Sequence, residues 1–380
     1  MILGASGSIG QQALSLLAAY PEHYQLVGIS VHRGVERLLP WIEKLRPQWL
    51  AITDPPTFQR AADHALFPHL LDTEGLYQKL QKGEVDVILN SIVGSAGFWA
   101  SWHALQNPHA YLALANKETL VFGGQWLAPY RHRLIPVDSE HSALFQCLRG
   151  ETQDSVEKLI LTASGGPFRG KTRLELQSVH PSEALIHPVW KMGPRITVDS
   201  ATLMNKALEL IEAYWLFGVP VEKIEVWVHP QCIVHSLVLF RDGTFKAQLG
   251  LPDMRLPILY ALSYPDRFSF SESRWNPLVG GSPLTFEPVD EETFPTLGLA
   301  RLALHKGGAA PALLNAADEM AVEAFLRGQI RFLDIFKWLE WSLEQPEAGL
   351  QPENPEELEE IEYEFRRKVV SHFLGIYYAK

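Results

Sequence analysis

Short apolar runs recur along the first third of the chain, each separated from the next by a stretch long enough for a helix. They are QLVGISV (25–31), WLAIT (49–53), VDVILNSIV (85–93), YLALAN (111–116) and LIPV (134–137). This rhythm predicts a mostly parallel, doubly wound α/β sheet. Ahead of it, Ile2 and Leu3 run into GASGSIG (4–10), and Ala13, Leu14, Leu16 and Leu17 then repeat at helical spacing. A first strand usually takes about five or six residues. Only three precede Gly4, so either this strand is clipped or the recorded chain begins a few residues late.

From about Glu157 the pattern changes. LILTAS (159–164) reads as a strand, and EVWVHP (225–230), CIVHSLVLF (232–240) and FKAQLG (245–250) follow as strand-like runs joined by short turns. They predict a second, more antiparallel sheet. His229 and His235 lie on it and read as satisfied core or edge residues. Between these runs, Asp199 and Ser200 are good N-cap types, with Leu203, Leu208 and Ile211 behind them, which predicts a helix starting there. Residues 264–288 carry four prolines, Gly280-Gly281 and little periodicity, and read as a linker. Helical spacing returns at 296–306, 311–326, 331–344 and 355–374, which predicts a C-terminal helical bundle.

Composition narrows the class. With 380 residues, 47% of them hydrophobic, the chain can bury two or three cores. Its mean hydropathy of -0.03 is that of a soluble globular protein. No apolar run approaches the roughly 18 to 20 residues needed to span a bilayer. The net charge of -11 argues against nonspecific binding to nucleic acid or anionic membrane, so an anionic substrate would need a local basic island. Lys117, Lys206, Arg33 and His187 are candidates for it. Cys147 and Cys232 have no metal or redox spacing, which points to a reducing, cytoplasmic setting. The early glycine motif leaves no room for a targeting peptide before it.

The chemistry is carried by a few polar stretches. Gly4, Gly7 and Gly10 form a turn of the dinucleotide-binding kind, whose small residues let backbone approach a pyrophosphate at a helix N-terminus. The following strand ends in His32 and Arg33, with no carboxylate until Glu36, so Arg33 suggests the 2′-phosphate of NADP(H). Asn116-Lys117-Glu118 and Asp138-Ser139-Glu140-His141 each follow a strand, where open α/β sheets keep ligands. Asp138 and Glu140 at i and i+2 in a loop suit a hard cation if a third carboxylate joins them, and Glu209 could be that third; a helix-capping box or a solvated turn is the alternative. Ser164-Gly165-Gly166 frees backbone to wrap an anion. Asn205, Lys206 and Glu209 fall in one helical sector, and free N–H groups near Ser200 would suit a phosphate. HPVWKMG (187–193) places Trp190 and Met192 beside His187 in the manner of a mobile cover; a surface loop is the alternative.

GASGSIG, LANKETLV (114–121), PVDSEHSA (136–143), TASGGPF (162–168) and HPVWKMGPRITVDSATLMNKALE (187–209) together resemble the 1-deoxy-D-xylulose 5-phosphate reductoisomerase family along the whole chain. The resemblance implies an NADPH domain over 1–138, a catalytic domain over 139–263 with a flexible flap at about 186–194, a linker over 264–288, a helical bundle over 289–380, and a homodimer. It implies metal ligands Asp138, Glu140 and Glu209 for Mg²⁺ or Mn²⁺ (or Co²⁺), with Lys117, Glu140 and Glu209 catalytic. Substrate contacts would come from Lys117, Ser139, Ser164, His187, Trp190, Ser200, Asn205, Lys206 and Glu209. NADPH would touch Ser6, Gly7, Ser8, Ile9, Arg33, Asn116, Glu118 and Gly193. The activity implied is rearrangement and reduction of 1-deoxy-D-xylulose 5-phosphate, a sugar phosphate, to 2-C-methyl-D-erythritol 4-phosphate in non-mevalonate isoprenoid synthesis. His32 and Gly34 beside Arg33, and Val189 in the flap, depart from the family's usual residues. The competing expectations are a metal-independent NADP dehydrogenase of a small aldehyde and a non-catalytic NADP-binding sensor.

Overall fold

The structure is a computed structural model and describes residues 1–63, 67, 69–190, 192–279 and 283–375. Its chain divides into two compact units. Unit 1 comprises Met1–Thr119, Pro129–Gln146 and Asp253–Trp275; unit 2 comprises Leu120–Ala128, Cys147–Pro252 and Asn276–Lys380.

Unit 1 holds a seven-stranded parallel sheet of β1 (Ile2–Leu3), β2 (Gly28–Val31), β3 (Trp49–Ile52), β4 (Leu70–Leu71), β5 (Val87–Asn90), β6 (Tyr111–Leu114) and β7 (Leu134–Pro136), in the order β4-β3-β2-β1-β5-β6-β7. β1 lies in the middle, and the chain winds outward from it first one way and then the other, so the doubly wound expectation holds. The order reverses between β1 and β5, the switch point at which open sheets bind ligands. Buried apolar side chains, among them Ile2, Leu14, Ile29, Leu50, Leu89 and Ile135, form its core. Each contributes about 1.5–3 kcal/mol through removal from water. β1 is as short as the sequence implies.

Unit 2 holds a five-stranded sheet, β8 (Val156–Ala163), β9 (Ile224–Val228), β10 (Val234–Phe240), β11 (Phe245–Leu249) and β12 (Glu287–Pro288), in the order β11-β10-β8-β9-β12. It is mixed: β8 and β9 pair in parallel, while the other three pairings are antiparallel. The parallel pair arises because the chain between β8 and β9 is long and helical, the usual requirement of a crossover. Helices Thr296–Lys306, Ala310–Leu326, Phe332–Glu344 and Pro355–Leu374 match the expected bundle segments to within a residue. The last shows why these boundaries were readable. Asn354 accepts a hydrogen bond from the Glu357 N–H at 2.8 Å, Pro355 fits the first turn, and Gly375 ends the helix at φ 67. Between 264 and 288 the only regular element among the described residues is the short β12. Gly280, Gly281 and Lys191, the last within the stretch expected to form a flap, lie outside the described residues.

One boundary differs from expectation. Asp199 and Ser200 do not start a helix; they end one, Pro194–Ala201, and a second, Met204–Phe217, begins after Leu203. Pro194 is tolerated only in a first turn, which moves the start upstream of the Asp-Ser pair. Leu203 then breaks the run at φ 61, with the Met204 N–H donating to Thr202 Oγ1 at 3.2 Å. The amides beside Ser200 are therefore not a helix N-terminus, and the anion site inferred from them has no such basis.

Candidate active-site residues

In unit 1 the glycine turn follows β1. Gly4 adopts φ +71, and a Cβ there would lie 2.7 Å from the Ser91 carbonyl oxygen at the end of β5, so only glycine fits. Gly7 leads into helix Ser8–Ala19 with no side-chain cap, leaving that helix's first N–H groups unclaimed by a side chain. Ser6 donates to the Arg33 carbonyl at 3.2 Å, while Gly7 and Ser8 are exposed and Ile9 is half-buried. Arg33 is itself largely exposed, and its guanidinium meets Asp54 at 3.0 Å. Hydrogen bonds from Thr57, followed by Arg33, hold the Asp54 carboxyl down at about 2. Asp54 was not legible as the partner of Arg33, because it arrives from the end of β3, twenty-one positions away.

Asn116 is buried. Its amide nitrogen donates to the Ile92 and Gly94 carbonyls, and its Oδ1 meets no donor among the described residues. Glu118 is buried in the first turn of helix Glu118–Leu127. Lys117 reaches Asp138 Oδ2 at 2.7 Å, with only 12% of either side chain exposed. Asp138 precedes helix Ser139–Cys147, so Glu140 stands in that helix's first turn and not in a loop. Ser139 donates to Glu140 at 2.5 Å, and the fully buried His141 lies 3.9 Å from Asp138 Oδ1. Burial acts to push the Asp138 carboxyl up, but Lys117 and His141 hold it well below the usual carboxylate range. It is a largely buried anion at neutral pH.

In unit 2, TASGGPF turns at the end of β8. Gly166 adopts φ +68, and a Cβ on it would lie 2.5 Å from the Ser200 carbonyl oxygen; this is how the turn and the helix Pro194–Ala201 approach each other. His187 Nδ1 accepts from the N–H groups of Val189 (3.1 Å) and Trp190 (2.8 Å), so its proton must sit on Nε2, which donates to Ser164 Oγ at 3.0 Å. Gly166 N–H donates to the same oxygen at 3.1 Å, which leaves the Ser164 hydroxyl proton to point elsewhere. Burial lowers the His187 pKa and keeps the ring neutral. Around it Ile186 and Val189 are exposed, Trp190 is half-buried and Gly193 is exposed.

Asn205 donates to Glu209 Oε1 at 2.6 Å and Lys206 pairs with Glu209 Oε2, all within one turn. Glu209 and Lys206 are buried, as is Ser200. His229 is satisfied as expected: Nδ1 donates to the Thr285 carbonyl at 2.8 Å, and Nε2 accepts from Ile233 and Val234. His235 is buried too, and burial lowers it to about 4.

Comparison with known proteins fits this arrangement. Residues 1–124 match the family described as 1-deoxy-D-xylulose 5-phosphate reductoisomerase, and residues 134–217 and 249–368 match the two models of that enzyme's C-terminal domain. A 1-deoxy-D-xylulose 5-phosphate reductoisomerase of Geobacillus sp. (strain WCH70) is 46% identical over 97% of this chain and 98% of its own. That of Bacillus subtilis (strain 168) is 44% identical over 92% and 93%. Among solved structures, the Zymomonas mobilis enzyme in complex with NADPH superposes with a TM-score of 0.90 at 37% identity, covering 99% of this chain and 98% of that one. A DOX-P reductoisomerase in complex with NADPH, fosmidomycin and magnesium gives 0.89 at 34%, covering 98% and 97%. The chain belongs to the 1-deoxy-D-xylulose 5-phosphate reductoisomerase family.

Proposed function

We propose that this chain rearranges 1-deoxy-D-xylulose 5-phosphate and reduces the product to 2-C-methyl-D-erythritol 4-phosphate, using NADPH and a divalent metal, as a step of non-mevalonate isoprenoid precursor synthesis. The observation that carries the reading is the full-length family membership together with buried carboxylates, each set against an ammonium.

The residues present suit both groups. Asp138 is an ionised, largely buried oxygen donor, which is the chemistry a hard cation seeks, and Asp138, Glu140 and Glu209 would hold Mg²⁺, Mn²⁺ or Co²⁺. When bound, the metal supplies Lewis acidity toward a carbonyl and a template for adjacent oxygens. The uncapped helix behind Gly7 and the open Oδ1 of Asn116 suit a dinucleotide. Ser6, Gly7, Ser8, Ile9, Arg33, Asn116, Glu118 and Gly193 would hold NADPH, which supplies the hydride.

The remaining work falls to side chains. Ser164, His187, Ser200, Asn205 and Lys206 anchor the phosphate and hydroxyls, so that binding at the unreactive end orients the reacting carbons. Ser139 and Glu209 also touch substrate. Lys117 and Glu140 move protons. Trp190 lies across the substrate, and the flap at about 186–194 excludes water; the exposed apolar Ile186 and Val189 support a surface that covers something. In this reading residues 1–138 bind NADPH, 139–263 carry metal and substrate, 264–288 link, and 289–380 form the bundle.

The working form is a homodimer in the cytoplasm. β11 is an edge strand with Phe245 and Leu249 exposed, the kind of edge that a second copy covers. Cys147 and Cys232 are both buried and form no disulfide, which accords with a reducing compartment. No helix among the described residues is long and apolar enough to cross a membrane.

The test is NADPH oxidation with 1-deoxy-D-xylulose 5-phosphate, with Mg²⁺ and with EDTA. Turnover that needs both substrate and metal is expected. Turnover that survives EDTA favours the metal-independent dehydrogenase, and NADPH binding without turnover favours the sensor.

A further inference from the structure

Helix Pro194–Ala201 follows the flap and carries Arg195 and Asp199 one turn apart. Arg195 Nε lies 3.7 Å from Asp199 Oδ2, and its Nη2 lies 3.7 Å from Asp318 Oδ2 on helix Ala310–Leu326. The guanidinium reaches that second helix more closely through Glu319 Oε1 at 2.8 Å and Asn315 Oδ1 at 3.0 Å. Arg366, on helix Pro355–Leu374, pairs with Glu319 and holds Glu362 at 2.6 Å. Only 4% of the Asp199 side chain and none of Asp318 is exposed.

Four carboxyls thus face two guanidiniums, and full ionisation would crowd like charges among three packed helices. Where that charge goes is visible at Asp318. Neither of its oxygens meets an N–H or O–H donor among the described residues, and Asp199 lies against it across the guanidinium of Arg195 that both approach at 3.7 Å. Two ionised carboxylates are acceptors only, so this contact becomes a hydrogen bond only when one of them carries a proton.

We infer that Asp199 and Asp318 share one proton and act as positioning residues, fixing helix Pro194–Ala201, with the flap ahead of it and Ser200 at its end, against helix Ala310–Leu326. The electrostatics agree. Burial first, then the charge of Asp199, pushes the Asp318 carboxyl well above the usual range, against the opposing pull of Arg195. A group raised in the folded state gives its full stabilisation below its unfolded pKa of about 4 and loses it as pH rises through the folded value. Alkaline pH should therefore loosen this helix, because Asp199 and Asp318 then meet as like charges beside an Arg195 that Glu319 already engages.

The test is amide hydrogen exchange across residues 196–203 of the full chain with NADPH and Mg²⁺, read as protection factors from neutral to alkaline pH. The same preparations give KM and kcat for the sugar phosphate. In the wild type, protection should fall about tenfold as the shared proton is lost, equivalent to one pKa unit of differential interaction, and KM should rise over the same interval more than kcat changes. Asp318→Asn keeps a donor that does not titrate, so its protection and KM should match the wild type at neutral pH and stay flat. Asp199→Asn should do the same. Asp318→Ala should show the loosened helix at every pH. A wild-type pH profile retained in both Asn variants would overturn the inference, as would protection in Asp318→Ala equal to that in Asp318→Asn. Only the KM arm rests on the proposed substrate: absence of turnover would count against that reading, while exchange would still decide the role of the pair.

Discussion

Lys117 meets Asp138 across the ends of neighbouring strands, whereas Lys206 meets Glu209 within one turn of one helix. The first pair is made by sheet register. Leu114 of β6 stands opposite Pro136 of β7, so the residues three and two positions beyond come together only if that register forms. The second needs only the helical period, which already sets Asn205, Lys206 and Glu209 on one side. Both pairs neutralise a buried carboxylate, but one reports on the fold of a whole sheet and the other on a few residues.

The sharpest way to break this comparison is to remove each ammonium. Lys117→Met and Lys206→Met each remove the ammonium that faces a largely buried carboxylate, and breaking a buried pair from one side typically costs about 3–5 kcal/mol. Lys206→Met should cost more, since its pair is 5% and 1% exposed against 12% and 12%. Urea denaturation checks the order, and a larger loss at Lys117 would mean that burial does not set it. Glu209→Gln should lower metal-dependent turnover by at least about 10²-fold, in the range seen when metal sites lose a supporting group. NADPH binding, followed by fluorescence, should persist. Unchanged turnover would remove Glu209 from the proposed metal ligands.

Acid separates the halves further. Asp138 is held below its ordinary value, so its contribution is complete above about pH 4 and is lost as pH falls through the folded pKa. His187 is also lowered, but as a base it is stable in its neutral form. Its contribution is present above about pH 6.5 and disappears as pH falls through the lower folded value, when Nδ1 must release the Val189 and Trp190 N–H groups. Trp190 fluorescence should therefore change at a higher pH than the unfolding of unit 1, with about 1 kcal/mol at stake for each net hydrogen bond. His187→Ala should abolish the earlier transition. The smallest effect expected is that of Arg33→Ala. Its pair with Asp54 is mostly exposed on the arginine side, so stability should change by less than about 1 kcal/mol. The preference for NADPH over NADH should nevertheless fall by about tenfold, as loss of a charge-assisted contact implies.

The same contrast explains what could be read from the sequence. The alternation of β1 to β7 and the four bundle helices were legible because periodicity and caps are local. The turn at Ser164 and the meeting of Asn205 and Lys206 with Glu209 were legible as local geometry because each is contiguous in the chain. The helix boundary at Asp199 was misread: its cap-type side chains suited a start, and only Pro194 upstream and the positive φ of Leu203 decide otherwise. Asp54 and Asp318 were missed, since each meets its partner over twenty-one or more positions and neither carries a local motif.

The division of the chain into interleaved segments bears on how the protein is made. Each unit is assembled from three pieces, and the polypeptide passes between units five times. Helix Arg255–Ser263, which supplies Ile258 and Leu259 to the core beneath the parallel sheet, belongs to the last piece of unit 1. On a translating ribosome, which adds about 5–20 residues per second, the seven strands emerge long before that helix does. The nascent sheet must therefore wait, with part of its apolar face uncovered, until synthesis has passed Trp275, and neither unit can be obtained by a single cut.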